Sequence, residues 1–373
     1  MKIARIDTFA IDVPIRPEVM MITALGIHRR SRYTLVRIET DTGLVGAGEA
    51  TVSPAWSGET ALGAKDLIDT YLAPELLGCD PRDIEGAIAS MERTAWANPF
   101  AKSAIEMALW DLHGKAEGVP VYQLLGGPAR DLALPIRFSL AAADPETTAA
   151  RARERVAWGH RTIKVKVGLD PETDVARVRA VRAAIGEGIA LTVDANGGWS
   201  PETAIWALTE LADCRLTLAE QPTPRWDVDG MAAVRRNVAT PIMADESVFS
   251  LPDAQRVLAT GAADILAIYP GKNGGILPAW RIASLAAEHH VPCAIGSNLE
   301  LDVATAAMCH LAVAHPNVAA EHLHGDILGP LYHSVSVART PVRIEAGFAH
   351  CPTAPGLGVE VDWARVASLA IAT

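Results

Sequence analysis

Nowhere does the 373-residue chain hold an apolar run of the roughly 18 residues that a transmembrane helix needs, so none is expected. Basic residues are in deficit. Lys and Arg number 33 against 44 Asp and Glu, a net charge of −11. Nucleic acid and anionic membrane surfaces reward clustered Lys and Arg, so neither is expected as the main partner. The N-terminus has no apolar leader core; residues 1–7 alternate as a strand does. Cysteine is sparse, at positions 79, 214, 293, 309 and 351, and no CxxC pair exists, which fits a thiol-reducing cytoplasm. No internal repeat or low-complexity segment is visible. Phosphate-binding motifs are missing too. Gly46-Ala47-Gly48 has no helix after it, and Gly271-Lys272-Asn273 lacks the Ser/Thr and upstream glycine of a P-loop. What remains is ordinary globular composition, half hydrophobic and about a fifth charged, at a length that suits one large domain plus a smaller one.

The first 60 residues read as antiparallel strands. Residues 31–39 are apolar and β-branched, and Thr40-Asp41-Thr42-Gly43 is a turn before a second strand at 44–49. Residues 100–111 carry apolar side chains at helical spacing, which makes this part α+β. From about 134 the chain becomes rhythmic. Apolar runs at 134–141, 162–168, 190–196, 216–222, 241–247, 264–270, 291–297 and 318–323 alternate with amphipathic segments such as 172–185, 201–212 and 277–289. Eight strand–helix units predict an α/β fold closed as a (β/α)8 TIM-type barrel, with an open doubly wound sheet as the alternative. A short helix is expected in the tail.

Catalytic side chains in such barrels stand at the C-terminal strand ends. The second strand, 162–168, puts Lys164 and Lys166 on one face, because side chains alternate with period two. Two lysines within an apolar strand are costly unless they point into a polar cavity. The next three strands end in Asp194, Glu220 and Asp245, spaced 26 and 25 residues apart, one strand–helix unit each. Three carboxylates converging at one height repel unless a cation lies between them. All-oxygen donors select Mg2+, with Mn2+ possible, over Zn2+. A helix N-cap or a surface ion pair is the plainer role for any one of them. A hard dication facing lysines suggests removal of the proton α to a carboxylate. The ion stabilises the second negative charge, and a lysine of lowered pKa is the base. A lysine base working beside Mg2+ is the arrangement of enolase-type sites.

These residues resemble the enolase superfamily, and within it the muconate lactonizing enzyme group. The likeness runs over nearly the whole chain. It is carried by residues 100–111 with Gly114-Lys115, Gly118-Val119-Pro120-Val121 and Leu124-Leu125-Gly126-Gly127, and by Lys164-Val165-Lys166. Asp194 with Asn196, Glu220-Gln221-Pro222 and Ala244-Asp245-Glu246-Ser247 carry it further, as do Lys272-Asn273-Gly274-Gly275 and residues 326–331. The resemblance implies an N-terminal α+β capping domain at 1–128, the barrel at 129–345 and a segment at 346–373 that packs back on the cap. It implies Lys166 as the catalytic base or acid, Lys164 assisting, Mg2+ on Asp194, Glu220 and Asp245, a small carboxylate substrate and a homo-oligomer. Position 269 departs from the pattern: the family's second acid/base lysine is replaced by Tyr269. Tyr269 is then a weak acid or a packing group, and Lys272 a candidate to swing in. Asp326 stands where the family carries Glu, and the Asp-x-Asp of its dipeptide epimerases is incomplete. The residues therefore favour a muconate-type cycloisomerase. A racemase, epimerase or dehydratase of an amino-acid-like or hydroxy acid is the alternative, and a catalytically inactive ligand-binding barrel is the third. Asn196, Glu246, Ser297, Asn298 and Asp326 are candidate substrate contacts or supports. The stretches 14–32, with Met21 and His28, and 53–57, with Trp56, are candidate lids or plain connections.

Overall fold

The computed structural model describes residues 1–371. The chain opens with β1 (Ile3–Pro14), then a small hairpin of β2 (Met21–Thr23) and β3 (Gly26–His28), then β4 (Arg30–Thr40) and β5 (Val45–Ala50). β1, β4 and β5 form an antiparallel sheet in that order. The helix Pro99–Glu117 lies directly on β5. A side chain at Gly48 would collide with the Ala104 carbonyl and one at Gly46 with the Ala108 carbonyl, so the glycine pair exists for close packing. Proline at its first turn and Gly118 at φ 71° bound that helix.

The barrel starts after β6 (Ala133–Pro135). Its parallel strands are β7 (Phe138–Leu140), β8 (Thr162–Lys166), β9 (Ala190–Asp194), β10 (Leu218–Glu220), β11 (Ile242–Ala244), β12 (Ile265–Ile268) and β13 (Cys293–Ile295), neighbours in chain order. Helices Pro145–Ala157, Pro171–Ile185, Pro201–Glu210 and Leu251–Thr260 each have proline in the first turn. Asp144, Asp170, Ser200 and Ser250 cap them by accepting the N–H three residues on. The expected eighth strand at 318–323 is not regular. Val318 bridges Cys293 and Gly325 bridges Ile136, so an irregular segment closes the ring by single parallel contacts on either side. Its backbone groups are still satisfied: Ala319 N–H donates to the Cys293 carbonyl and Arg137 N–H to the Gly325 carbonyl. Leu218, Met243, Ile265, Ala267 and Ala294 fill the barrel interior as an apolar plug.

Beyond 340, β15 (Phe348–His350) pairs with β6 on one side and with β14 (Ile344–Glu345) on the other. The helix Trp363–Ser368 packs on β1, where Phe9 and Trp363 rings lie 5.5 Å apart. Two carboxylates of the N-terminal part reach helix starts in the barrel. Glu49 accepts from Leu301 and Ala304 N–H at the helix Asp302–Ala314. Glu106 accepts from Ile276 and Leu277 N–H at the helix Ile276–Glu288. No helix among the described residues is long and apolar enough to cross a membrane.

Candidate functional site

Alternation along β8 sends Ile163 and Val165 outward into the packing with the helices and Lys164 and Lys166 inward. The parallel register places Lys166 beside Asp194 and Asp194 beside Glu220. Glu220 pairs with Met243, so Asp245 stands two residues higher on the same face, not level with the other two. All four, with Lys164, line one cavity of about 170 Å³ at the C-terminal strand ends. Asn196, Ser297, Asn298, Asp326, Met21, His28 and Trp56 line it too.

The charged side chains form one network. Lys164 Nζ lies 2.9 Å from Asp194, 2.9 Å from Glu220 and 2.7 Å from Asp326. Burial and Arg137 act to lower its pKa, but those three carboxylates outweigh them and hold it well above the ordinary lysine range. Lys164 is thus engaged by three carboxylates at once. Lys166 Nζ donates to Asp194 Oδ2 at 2.5 Å and to Asn196 Oδ1 at 2.9 Å. Asn196 Nδ2 donates to Glu246 Oε1, which also accepts from Trp56 Nε1 at 3.0 Å. Glu246 thus lies behind the cavity wall as a support. Burial, with Asp245 and Asp194 nearby, pushes its carboxyl up to about 8, and its Oε2 has no partner. Gln221 ties two strand ends together. Its Oε1 accepts the N–H of Asp245 and Ser247.

Besides Glu246, two candidates lie outside the cavity. Lys272 is fully buried, and its Nζ donates to Asp245 Oδ1 at 2.6 Å, to the Asp245 carbonyl and to the Ala267 carbonyl. An ammonium has three protons, so none is left for a substrate. Tyr269 covers it, with Lys272 Nζ 4.8 Å from the ring centroid. The Tyr269 ring rests on Gly296, where any side chain would clash, and lies against Trp56 at 5.8 Å. Its hydroxyl has no partner, and burial together with Asp245 drives its pKa well above the ordinary tyrosine range.

Arg137 is the main residue that sequence reasoning missed. It is buried on the inner side of the first strand, and its Nη2 donates to Glu220 Oε2 and Asp326 Oδ2 at 2.7 Å each. Ser139 donates to Asp326 Oδ1. A charged residue inside the apolar run 134–141 is a signal of the same kind as the two lysines. Both candidate lids reach the site. The β2–β3 hairpin roofs the cavity, tied down where Ala142 N–H donates to the Ile22 carbonyl and where His28 Nε2 meets Ser31 Oγ at 3.0 Å. Ser297 and Asn298 are held by Glu300, through Ser297 Oγ at 2.6 Å and the Asn298 N–H at 2.7 Å.

The donor chemistry suits a hard dication. Asp194, Glu220 and Asp245 present only carboxylate oxygens to the cavity. Among the described residues no three acids are already gathered as a metal cluster.

A parallel barrel with lysines and carboxylates at its strand tips, under a strand-rich cap, has the architecture of a barrel enzyme. The chain belongs to the mandelate racemase/muconate lactonizing enzyme family of the enolase superfamily. Residues 5–126 match the family's N-terminal domain, and residues 147–365 match the enolase C-terminal domain-like model. It is 35% identical to an L-Ala-D/L-Glu epimerase of Clostridium acetobutylicum, over 87% of this chain and 90% of the relative. It is 33% identical to muconate cycloisomerase 1 of Rhodococcus opacus, over 97% and 96%. The solved structure of an N-succinyl Arg/Lys racemase from Bacillus cereus superposes with a TM-score of 0.95 at 32% identity, covering 100% of this chain and 99% of that one.

Proposed function

We propose that this enzyme removes the proton α to a carboxylate from one face of its substrate and completes a syn reaction there, of the muconate-type cycloisomerase or dehydratase kind. One observation carries the reading: the only amines lining the cavity among the described residues, Lys164 and Lys166, stand on the same strand. Asp194, Glu220 and Asp245 are the residues that would hold Mg2+ or Mn2+. Bound there, the dication supplies stabilisation of the charge that the substrate carboxylate gains when the α-proton leaves.

Lys166 takes the proton at Nζ and returns it on the same face or passes it to a leaving group. Its two present acceptors, Asp194 and Asn196, fix where Nζ stands. Asn196 is fixed in turn by Glu246. Lys164 keeps its charge and balances the acids around it. The hairpin and Trp56 lie over the mouth of the cavity.

The likeness to epimerases and a racemase supports a second reading, in which both faces react. Proton NMR in D2O with Mg2+ and each enantiomer of a chiral carboxylate tests the two. Deuterium uptake by one enantiomer with retention is expected, and Lys166→Ala is expected to abolish it. Interconversion of both enantiomers at comparable rates overturns the one-face reading.

A further inference from the structure

Ligand cavities in enzymes commonly run to several hundred Å³, and one of about 150 Å³ takes a benzene-sized molecule. The cavity here is about 170 Å³. Its size is built in. Met21 and Ile27 of the hairpin form the roof with Trp56 and Leu299 beside them, and the roof is tied to the barrel at Ile22. The far end is pinned as well: His28 meets Ser31, and Ser31 Oγ meets His333 Nε2 at 2.8 Å.

Charge is distributed unevenly. Both lining amines, Lys164 and Lys166, are at the floor with the acids. Arg137 lies below the floor, committed to Glu220 and Asp326. Arg225 is behind Trp56, donating to its carbonyl. At the roof the sole titratable lining group among the described residues is His28, and burial lowers its pKa, which keeps the imidazole neutral at pH 7. A second carboxylate reaching the roof would meet no counter-charge there, whereas the carboxylate at the floor meets two lysines.

We infer that the substrate is a compact monocarboxylic acid of on the order of ten non-hydrogen atoms or fewer, with no second anionic group. Of the two reaction kinds proposed above, this selects the dehydratase: muconate, named for one relative, carries a second carboxylate, and the dipeptides named for others are larger than the cavity. This inference rests on the proposed α-proton chemistry for which end of the substrate faces Lys166.

The test is a binding and exchange panel on the Mg2+-loaded enzyme. The probes are 2-hydroxybutanoate, cyclopentanecarboxylate, cis,cis-muconate and L-Ala-L-Glu, with calorimetric Kd and α-proton exchange in D2O as readouts. The two small monocarboxylates are expected to bind at least tenfold tighter than the other two. Tighter binding of muconate or the dipeptide, with exchange or turnover on them, overturns the substrate class and leaves the proton chemistry standing. The small acids binding tightest without exchange supports the substrate class and counts against the proton chemistry. Failure of all four to bind overturns both. Met21→Ala, which opens the roof, is expected to narrow the gap between cyclopentanecarboxylate and L-Ala-L-Glu at least fivefold. An unchanged gap means that the roof does not set the size limit, which also overturns the inference.

Discussion

Two walls of the barrel mouth carry a lysine close to a carboxylate, and they are built for opposite ends. On β8, Lys166 has two acceptors and faces the cavity. After β12, Lys272 has three acceptors, no exposure and an aromatic ring over it. Residue type is the same; the count of acceptors and the access differ. An amine with all three protons committed inside the fold works as a structural cation, and one with a proton to spare can meet a substrate.

The largest expected effect is on the open wall. Lys166→Ala should lower turnover by about 10² to 10⁴, the range for a positioned acid–base group, with the affinity for Mg2+ retained in a calorimetric titration. Turnover near that of the wild type would remove Lys166 from the chemistry and erase the contrast.

Next comes the closed wall. Lys272→Met leaves Asp245 buried without its cation, so chemical denaturation should show a loss of about 3–5 kcal/mol. A loss confined to kcat, with stability unchanged, would mean that Lys272 belongs to the reaction after all.

Arg137→Met should cost less, about 1–3 kcal/mol, because Lys164 still serves both Glu220 and Asp326. Mg2+ affinity should fall with it, as Glu220 loses its fixed orientation, and Arg137→Lys should restore part of both. Equal loss in the two variants would show that the fork geometry, and not the charge, is what holds Glu220.

Tyr269→Phe should do least. The hydroxyl has no partner, so its removal is expected to leave kcat within about threefold and the Tm unchanged or higher. A drop of a hundredfold would make the phenol a proton donor and give the second wall a chemical role.

The features legible in the sequence are the local ones. Strand–helix rhythm is legible because four of the barrel helices have their own cap and proline, as at Asp170-Pro171 and Ser200-Pro201. The two lysines and three acids can be read because alternation along a strand fixes their face, but the repeat length misses the height of Asp245, two residues above Glu220. The hairpin over the mouth shows no period because β2 and β3 have three residues each. The irregular eighth stave looks like a strand in sequence, because an apolar run does not reveal that its hydrogen bonds come from single bridges. The fate of Lys272 is beyond the reach of pattern, since its partner Asp245 lies 27 residues away and the other acceptors are backbone carbonyls.

Glu49 and Glu106 carry a consequence for modularity. Each is supplied by the N-terminal part, yet each closes the open end of a barrel helix. Removing the cap would strip two barrel helices of their terminators, so the cover cannot be exchanged between relatives as a loose part. Heat should melt cap and barrel in one calorimetric event. Burial pushes Glu49 up to about 8 and Glu106 up to about 7, against the backbone N–H groups that bond them. Both carboxyls bind a proton more tightly folded than unfolded. Their pH-linked stabilisation is full below the ordinary carboxylate range and is lost as pH rises through 7 and 8. Alkali is therefore expected to weaken the seam between the two parts.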